Sequence, residues 1–279
     1  EYDLGPTDLL CDYLASRPDM LESYPMIGLY YHYYQTLTET ELKNSSDNFY
    51  HFKMLFLDQM NSLPRDEMQS LYIFSINYCI RRYNTGDLGF AKDVFDFYKV
   101  GLEQTMFEEA GIMSHMTFKN IAKTALKLDE YKWTAQFIKD YGKKLDLKYR
   151  DAYVNYAMGE LLFRNNQYKE AMLHLQQIEH GDIFMNLDAR VILLKIYYES
   201  EEIDVMDALL HSMKAYLSRK DQLGYHRENY SNIAKFAQKM LSTNLFDKKD
   251  REKFRKEIEE TTVLTEREWF LKQVENMGS

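Results

Sequence analysis

The strongest constraint on the fold is a spacing of large and small residues that recurs after 37 positions. The first set comprises Phe118, Ile121, Ala122, Ala125, Asp129, Tyr131, Thr134, Ile138 and Tyr141. The equivalent positions are Asn155, Met158, Gly159, Leu162, Asn166, Tyr168, Ala171, Leu175 and Ile178. Each set places a small residue before a turn and a second small residue after it. This pattern indicates a repeated helical hairpin, because such hairpins bury their apolar faces against their neighbours.

Turn residues interrupt the helical spacing at intervals of one helix. The clearest breaks lie at 84–87, 127–130, 164–167 and 200–202. All four prolines occur within the first 64 residues, so none interrupts a helix after that point. Strand signals are weak, since no Asn-Gly hairpin turn occurs. We therefore predict an all-α chain of about fourteen helices joined by short loops.

Gly159 is the clearest steric marker in this pattern. A glycine inside a helix costs about 1 kcal/mol relative to alanine. Helix pairs approach closely only where no side chain intervenes. We therefore expect the two helices of this hairpin to cross at Gly159, with the small residue Ala171 on the second helix allowing the close contact.

The order of Gly159, Tyr168, Ala171 and Leu175 resembles the tetratricopeptide repeat (TPR) pattern. An earlier unit has Cys79, Gly86, Leu88, Ala91, Phe95 and Tyr98 in the same places. The resemblance implies an α-solenoid of stacked antiparallel helix pairs, wound into a right-handed superhelix. The chain is also similar to uncharacterised bacterial TPR-like proteins, which supply no function. Its repeat of 37 to 43 residues exceeds the standard repeat of about 34 residues and lacks the usual terminal proline.

We predict that residues 1–279 form a single elongated helical-repeat domain. Residues 1–64 would be divergent N-terminal helices, and residues 65–220 the clearest TPR-like repeats. Residues 221–279 would form a C-terminal repeat with capping helices, because a solenoid needs a terminal helix to cover its last apolar face. Trp269 and Phe270 would belong to this cap; the alternative is that they dock into another subunit.

Composition limits the classes of partner and compartment. The net charge of −9 argues against nucleic acid, since phosphate contacts need a surplus of Lys and Arg. No apolar run approaches the roughly 18 residues of a membrane span. Two cysteines form no disulfide framework or zinc spacing, which favours a cytoplasmic setting. The chain begins at Glu1 rather than Met, as an excerpt or processed product would, so targeting is left open.

Aromatic residues are dense near the N-terminus, where two interpretations compete. The residues are Tyr30, Tyr31, Tyr33, Tyr34, Phe49, Tyr50, Phe52 and Phe56. Such a set could stack nucleic-acid bases. At helical spacing it is more typical of a core between helices, which is the interpretation we favour.

Three asparagines define the candidate ligand site. Asn77, Asn120 and Asn232 each lie two residues before a small residue at a predicted helix crossing. The TPR resemblance implies that these first helices line a concave groove, where such an Asn binds a peptide backbone. An amide side chain can donate to a carbonyl and accept from an N–H.

Neighbouring basic and aromatic residues complete the predicted groove. They are Lys119, Lys123, Lys127, Tyr153, Tyr156, Phe163, Arg164 and Lys235. Lys123 and Lys127 lie one helical turn apart and could pair with carboxylates of an acidic protein or peptide segment. The alternative is that the asparagines bond neighbouring helices and the lysines form a solvated face.

No catalytic or metal-binding motif occurs: HExxH, GxSxG, GxGxxG and GxxxxGK are all missing from the sequence. We therefore predict a non-enzymatic chain without cofactor or metal. The predicted function is a protein- or peptide-binding scaffold that acts through the concave groove. The alternative is a sensor or regulatory domain of a larger signalling protein.

Overall fold

The computed structural model describes residues 5–38, 47–178, 183–219, 223–224 and 226–276. Within these ranges the chain forms fifteen α-helices, two short 3₁₀ helices and one two-stranded hairpin. The predicted all-α class is confirmed there, apart from that hairpin. The chain divides into two compact units, Glu1–Phe107 and Glu108–Ser279. The prediction of a single elongated domain stays a prediction.

Within the described ranges, the first unit contains six α-helices. They are α1 (Gly5–Ala15), α2 (Pro18–Ser23), α3 (Pro25–Thr38), α4 (Asp47–Gln59), α5 (Arg65–Asn84) and α6 (Phe90–Glu103). Helix α3 packs on α4, and α5 packs on α6. Phe49, Phe52 and Phe56 of α4 are completely buried, and the Phe49 ring stacks on Tyr78 with centroids 4.5 Å apart. The core interpretation of these three phenylalanines is confirmed.

The second unit contains nine α-helices within the described ranges and one small hairpin. They are β1 (Glu108–Glu109), β2 (Ile112–Met113), α7 (His115–Lys127), α8 (Tyr131–Tyr141), α9 (Leu147–Arg164), α10 (Tyr168–Leu175), α11 (Ile183–Glu199), α12 (Ile203–Ser218), α13 (His226–Ser242), α14 (Lys248–Glu260) and α15 (Arg267–Asn276). Helices α7 and α8, α9 and α10, and α11 and α12 form hairpins. The first helices of successive hairpins also touch, since α9 packs on both α7 and α11, and α11 packs on α13.

The turns inside these three hairpins share one backbone geometry. Asp129, Asn166 and Glu201 all have φ of 58°, in the left-handed region that ends many helices. The next residue in each turn donates its N–H to the carbonyl five residues earlier. In the first unit, Gly86 has φ of 102°, and the N–H of the following residue makes the same bond. The four predicted helix breaks are therefore confirmed.

Gly159 lies where α9 and α10 cross, as predicted. A Cβ placed on Gly159 would lie 2.6 Å from both Cγ and Cδ2 of Leu175 and 3.5 Å from the carbonyl oxygen of Ala171. Any larger residue at this position would force Leu175 to move. The hairpin packing therefore explains a glycine inside a helix.

The hairpin of β1 and β2 was not predicted. Its turn residues Ala110 and Gly111 have φ of 50° and 80°, which suits the tight twist of a two-residue hairpin. Alanine seldom adopts positive φ, so Ala-Gly gave no turn signal where Asn-Gly would have.

Candidate binding site

Polar side chains from several helices of the second unit meet on one side of α9. We call them the central cluster: Lys119, Lys123, Tyr156, Glu160, Asp188, Tyr230 and Glu266. The sequence predicted Lys119, Lys123 and Tyr156 as site residues. The structure brings these three together and adds the carboxylates that face them.

Asp188 connects three helices of the cluster. Nζ of Lys119 on α7 donates to Oδ2 of Asp188 on α11 over 2.7 Å, and the Tyr230 hydroxyl on α13 donates to Oδ1 over 2.7 Å. Burial raises the pKa of Asp188, but Lys123, Lys119 and these hydrogen bonds outweigh it, so the pKa is lowered. Asp188 is therefore held as a carboxylate.

Lys119 of α7 contacts Tyr156 of α9 where the two helices pack together. Nζ of Lys119 lies 5.3 Å from the centre of the Tyr156 ring, within the range of a cation–π contact. Burial, followed by the nearby carboxylates of Glu160 and Asp188, raises the pKa of the Tyr156 hydroxyl well above its ordinary value. Tyr156 therefore remains a neutral phenol.

Lys123 is surrounded by carboxylates of the chain itself. Burial lowers the pKa of Lys123, but Glu160, Asp188 and Glu266 outweigh it and the pKa is raised. The ammonium group is therefore retained inside the cluster. A ligand carboxylate would have to compete with these groups for Lys123.

Glu160 carries the least satisfied oxygen of the cluster. Only 7% of Glu160 is exposed, and its Oε1 lies 3.6 Å from Nη2 of Arg164. Its Oε2 is buried and has no hydrogen-bond partner among the described residues. A buried unsatisfied oxygen costs about 1–3 kcal/mol, and the ammonium group of Lys123 interacts with the charge of Glu160.

The C-terminal helix α15 docks against α11 beside the cluster. Lys195 of α11 pairs with Glu266 and lies 5.7 Å from the centre of the Trp269 ring. The Trp269 Nε1 donates to Glu199 over 2.6 Å, and Phe270 is completely buried. Trp269 and Phe270 thus pack within their own unit, as a terminal cap requires.

The three asparagines have different environments. Asn120 on α7 and Asn77 on α5 are exposed. Asn232 on α13 is half-buried, and its Nδ2 donates to the carbonyl of Val263 over 3.0 Å. Asn77 belongs to the first unit and the other two to the second, so the continuous row of three amides stays a prediction.

The remaining predicted site residues divide between packing and exposed positions. Tyr153 is buried against Met116, with Oη 3.5 Å from Sδ, and the Phe163 ring stacks on Tyr168. Lys127 and Arg164 are exposed at the ends of α7 and α9. Lys235 is exposed on α13 and lines a separate groove.

The residues that sequence reasoning missed fall into two groups. Glu160 follows Lys123 by 37 positions, so the repeat already places it beside that lysine on the next first helix. Lys119 and Tyr156 are also 37 positions apart and touch. Asp188 and Tyr230 belong to later helices whose spacing from α9 differs from 37 residues. The repeat therefore does not predict that they join the cluster.

None of the helices within the described ranges combines the length and apolarity required to cross a membrane. No group of three or more His, Cys, Asp or Glu side chains in these ranges is placed to hold a metal ion.

No protein-family model, curated protein or solved structure matches the chain.

Proposed function

We propose that the chain is a non-catalytic scaffold of the TPR-like kind, which binds segments of other proteins along its first helices. Three hairpins with the same turn geometry follow one another in the second unit. Their first helices pack side by side, and in such a stack these helices supply the binding face.

The observation that carries the proposal is the contact between α7 and α11 on one side of α9. Lys119 reaches Asp188 from α7, and the Tyr156 ring of α9 lies beneath the lysine. This contact favours a face that is concave and held in shape before a ligand arrives. Preorganisation of that kind reduces the entropy lost on binding.

The charges of the face suggest different roles for its basic residues in this proposal. Lys119 and Lys123 face carboxylates of their own chain, so they hold the face together. Lys127 and Arg164, which are 37 positions apart, are more exposed, although Arg164 also lies 3.6 Å from Glu160. We propose that their exposed charges attract acidic side chains of the ligand. In this proposal the exposed amide of Asn120 hydrogen-bonds the backbone of the bound segment.

The double variant Asn120→Ala/Arg164→Gln tests this face. We expect partners captured from a native lysate to fall by more than about tenfold, because one backbone hydrogen bond and one charge pair are lost. Quantitative mass spectrometry of the captured proteins measures the change. Far-UV circular dichroism should be unaltered, since both residues are exposed.

The matched control is Asn244→Ala/Lys249→Gln, which likewise removes one amide and one positive charge, from exposed positions near α14. It should capture the same partners as the unmodified protein. Equal capture by the unmodified protein and both variants would contradict the proposed face.

A further inference from the structure

A second surface of the second unit has a different chemistry. An open groove of about 500 Å³ lies between helices α12 and α13. Its small and apolar side chains are Leu217, Ser218, Ser231, Ala234 and Ser242. These short side chains leave room for a ligand group to approach the helices.

The groove is lined by cations. Lys214 on α12 and Arg227, Lys235 and Lys239 on α13 all border it, together with Gln238, and no carboxylate is among its described lining residues. The described part of the chain thus places four positive side chains at one groove, although the net charge of the protein is −9. Such a local excess attracts an anionic partner.

Two of these cations are not held by a carboxylate. Lys214 donates to the neutral amide oxygen of Gln238 over 3.2 Å, and Nζ of Lys235 lies 5.7 Å from the centre of the Phe236 ring. Among the described residues, neither makes an ion pair within 4.0 Å. They therefore keep positive charge to offer a ligand.

Two carboxylates that contact lining residues of the groove already have partners. Glu257 of α14 pairs with Lys239, and Lys239, Lys253 and Lys235 all help to lower the pKa of Glu257, the hydrogen bond from Lys239 most of all. Asp207 of α12 accepts from Nε2 of Gln238 over 3.1 Å. These two groups reduce the positive charge of the groove without cancelling it.

We propose that the groove between α12 and α13 binds an acidic segment of a partner protein. The carboxylates of the segment would face Lys214 and Lys235 from opposite walls, while its apolar side chains would pack near Leu217 and Ala234. This inference rests on the proposed function as a protein-binding scaffold, but it concerns another groove and other residues.

The spacing of the cations favours a chain segment over a small anion. Arg227, Lys235 and Lys239 lie along α13 over twelve residues, which corresponds to about 18 Å of helix. A single small anion contacts only part of such a row. A helical segment with carboxylates on successive turns and an apolar stripe can follow its full length.

A labelled peptide tests the groove directly. The probe is a fluorescein-labelled peptide of Glu, Ala and Leu with about 16 residues, long enough as a helix to span about 24 Å. Fluorescence anisotropy with the full chain should show saturable binding that weakens as salt increases. The same peptide with Gln in place of every Glu should bind at least about tenfold more weakly.

Variants locate the binding. Lys214→Gln/Lys235→Gln should weaken peptide binding about tenfold, because both walls lose a charge. The matched control Lys132→Gln/Lys139→Gln removes two exposed charges from α8 and should bind like the unmodified protein. Asn120→Ala/Arg164→Gln should also bind like the unmodified protein, so a failure of the first-helix face would be seen separately.

Three results would overturn the inference. The first is a lack of saturable binding of the acidic peptide to the unmodified protein. The second is an equal loss of binding in the α8 control and the groove variant. The third is equally tight binding of a single-stranded oligonucleotide that depends on Lys214 and Lys235, which would mark a general polyanion site.

Discussion

Replacing Asp188 by Asn should lower the free energy of unfolding of the second unit by roughly 3 kcal/mol, the range for breaking a buried ion pair. Asp188 holds Lys119 over 2.7 Å, and its side chain is only 20% exposed. Asn keeps the acceptor for Tyr230 but removes the charge that faces Lys119 and Lys123. Both lysines would then be left without their shared counter-ion.

Tryptophan fluorescence during urea unfolding measures this effect in the right part of the chain. The protein has two tryptophans, Trp133 and Trp269, and both belong to the second unit. The control Asp151→Asn removes an exposed carboxylate from α9 and should change stability by less than about 0.5 kcal/mol. Adding Lys119→Met to Asp188→Asn should restore part of the loss, because the unpaired cation is removed.

The stability lost in the Asp188→Asn variant should depend on pH. The pKa of Asp188 is lowered in the folded chain. Its stabilising contribution is therefore complete above the unfolded pKa of about 3.9 and is lost as the pH falls through the lower folded value. The stability difference between Asp188→Asn and the unmodified protein should shrink below about pH 4. A constant difference at all pH values would contradict the assigned role of the charge.

Replacing Gly159 by Val should destabilise the second unit by about 2–3 kcal/mol through overpacking. Even a Cβ at this position lies 2.6 Å from two atoms of Leu175, and valine adds two methyl groups beyond it. The loss outweighs the better helix propensity of valine, which is a few tenths of a kcal/mol. Urea unfolding followed by tryptophan fluorescence again gives the measurement.

A double-mutant cycle identifies the cause of that loss. Leu175→Ala alone should cost about 2–5 kcal/mol by leaving a cavity. Combined with Gly159→Val it should cost at least about 1 kcal/mol less than the sum, because the valine occupies the vacated space. The control Asp151→Val places the same side chain at an exposed position of α9. Strict additivity would contradict a direct contact between Gly159 and Leu175.

Local features of the fold were predictable where the identity of a single residue determines a helix end or a close helix crossing. Asn166 and its equivalents Asp129 and Glu201 end helices in the left-handed conformation, and Gly159 marks a close crossing. These features depend on residues near in sequence. The hairpin at Ala110 and Gly111 was missed because alanine rarely adopts positive φ.

The candidate site was predictable only as far as the repeat interval held. The 37-residue register correctly brings Lys119 to Tyr156. Asp188 lies 32 residues beyond Tyr156, after a loop whose length breaks the interval. The sequence therefore predicted the basic side of the cluster and missed the carboxylates that neutralise it.

This difference changes which cations matter for binding. Basic residues in a row suggested that Lys123 and Lys127 pair with an acidic ligand, but Lys123 has carboxylate neighbours within the chain. Lys235, which was predicted for the same groove, lines the groove between α12 and α13 together with Lys214. The proposals accordingly assign one ligand segment to the exposed residues of α7 and α9 and another to the α12–α13 groove.

Photo-cross-linking at position 120 in native cells tests the scaffold proposal most directly. Benzoylphenylalanine replaces Asn120 in one variant and the exposed Asn244 in another, and adducts are identified by mass spectrometry. The proposal predicts one abundant adduct with a partner protein at position 120 and none of that partner at position 244. An adduct pattern at position 120 that equals the pattern at position 244 would contradict a binding face on the first helices.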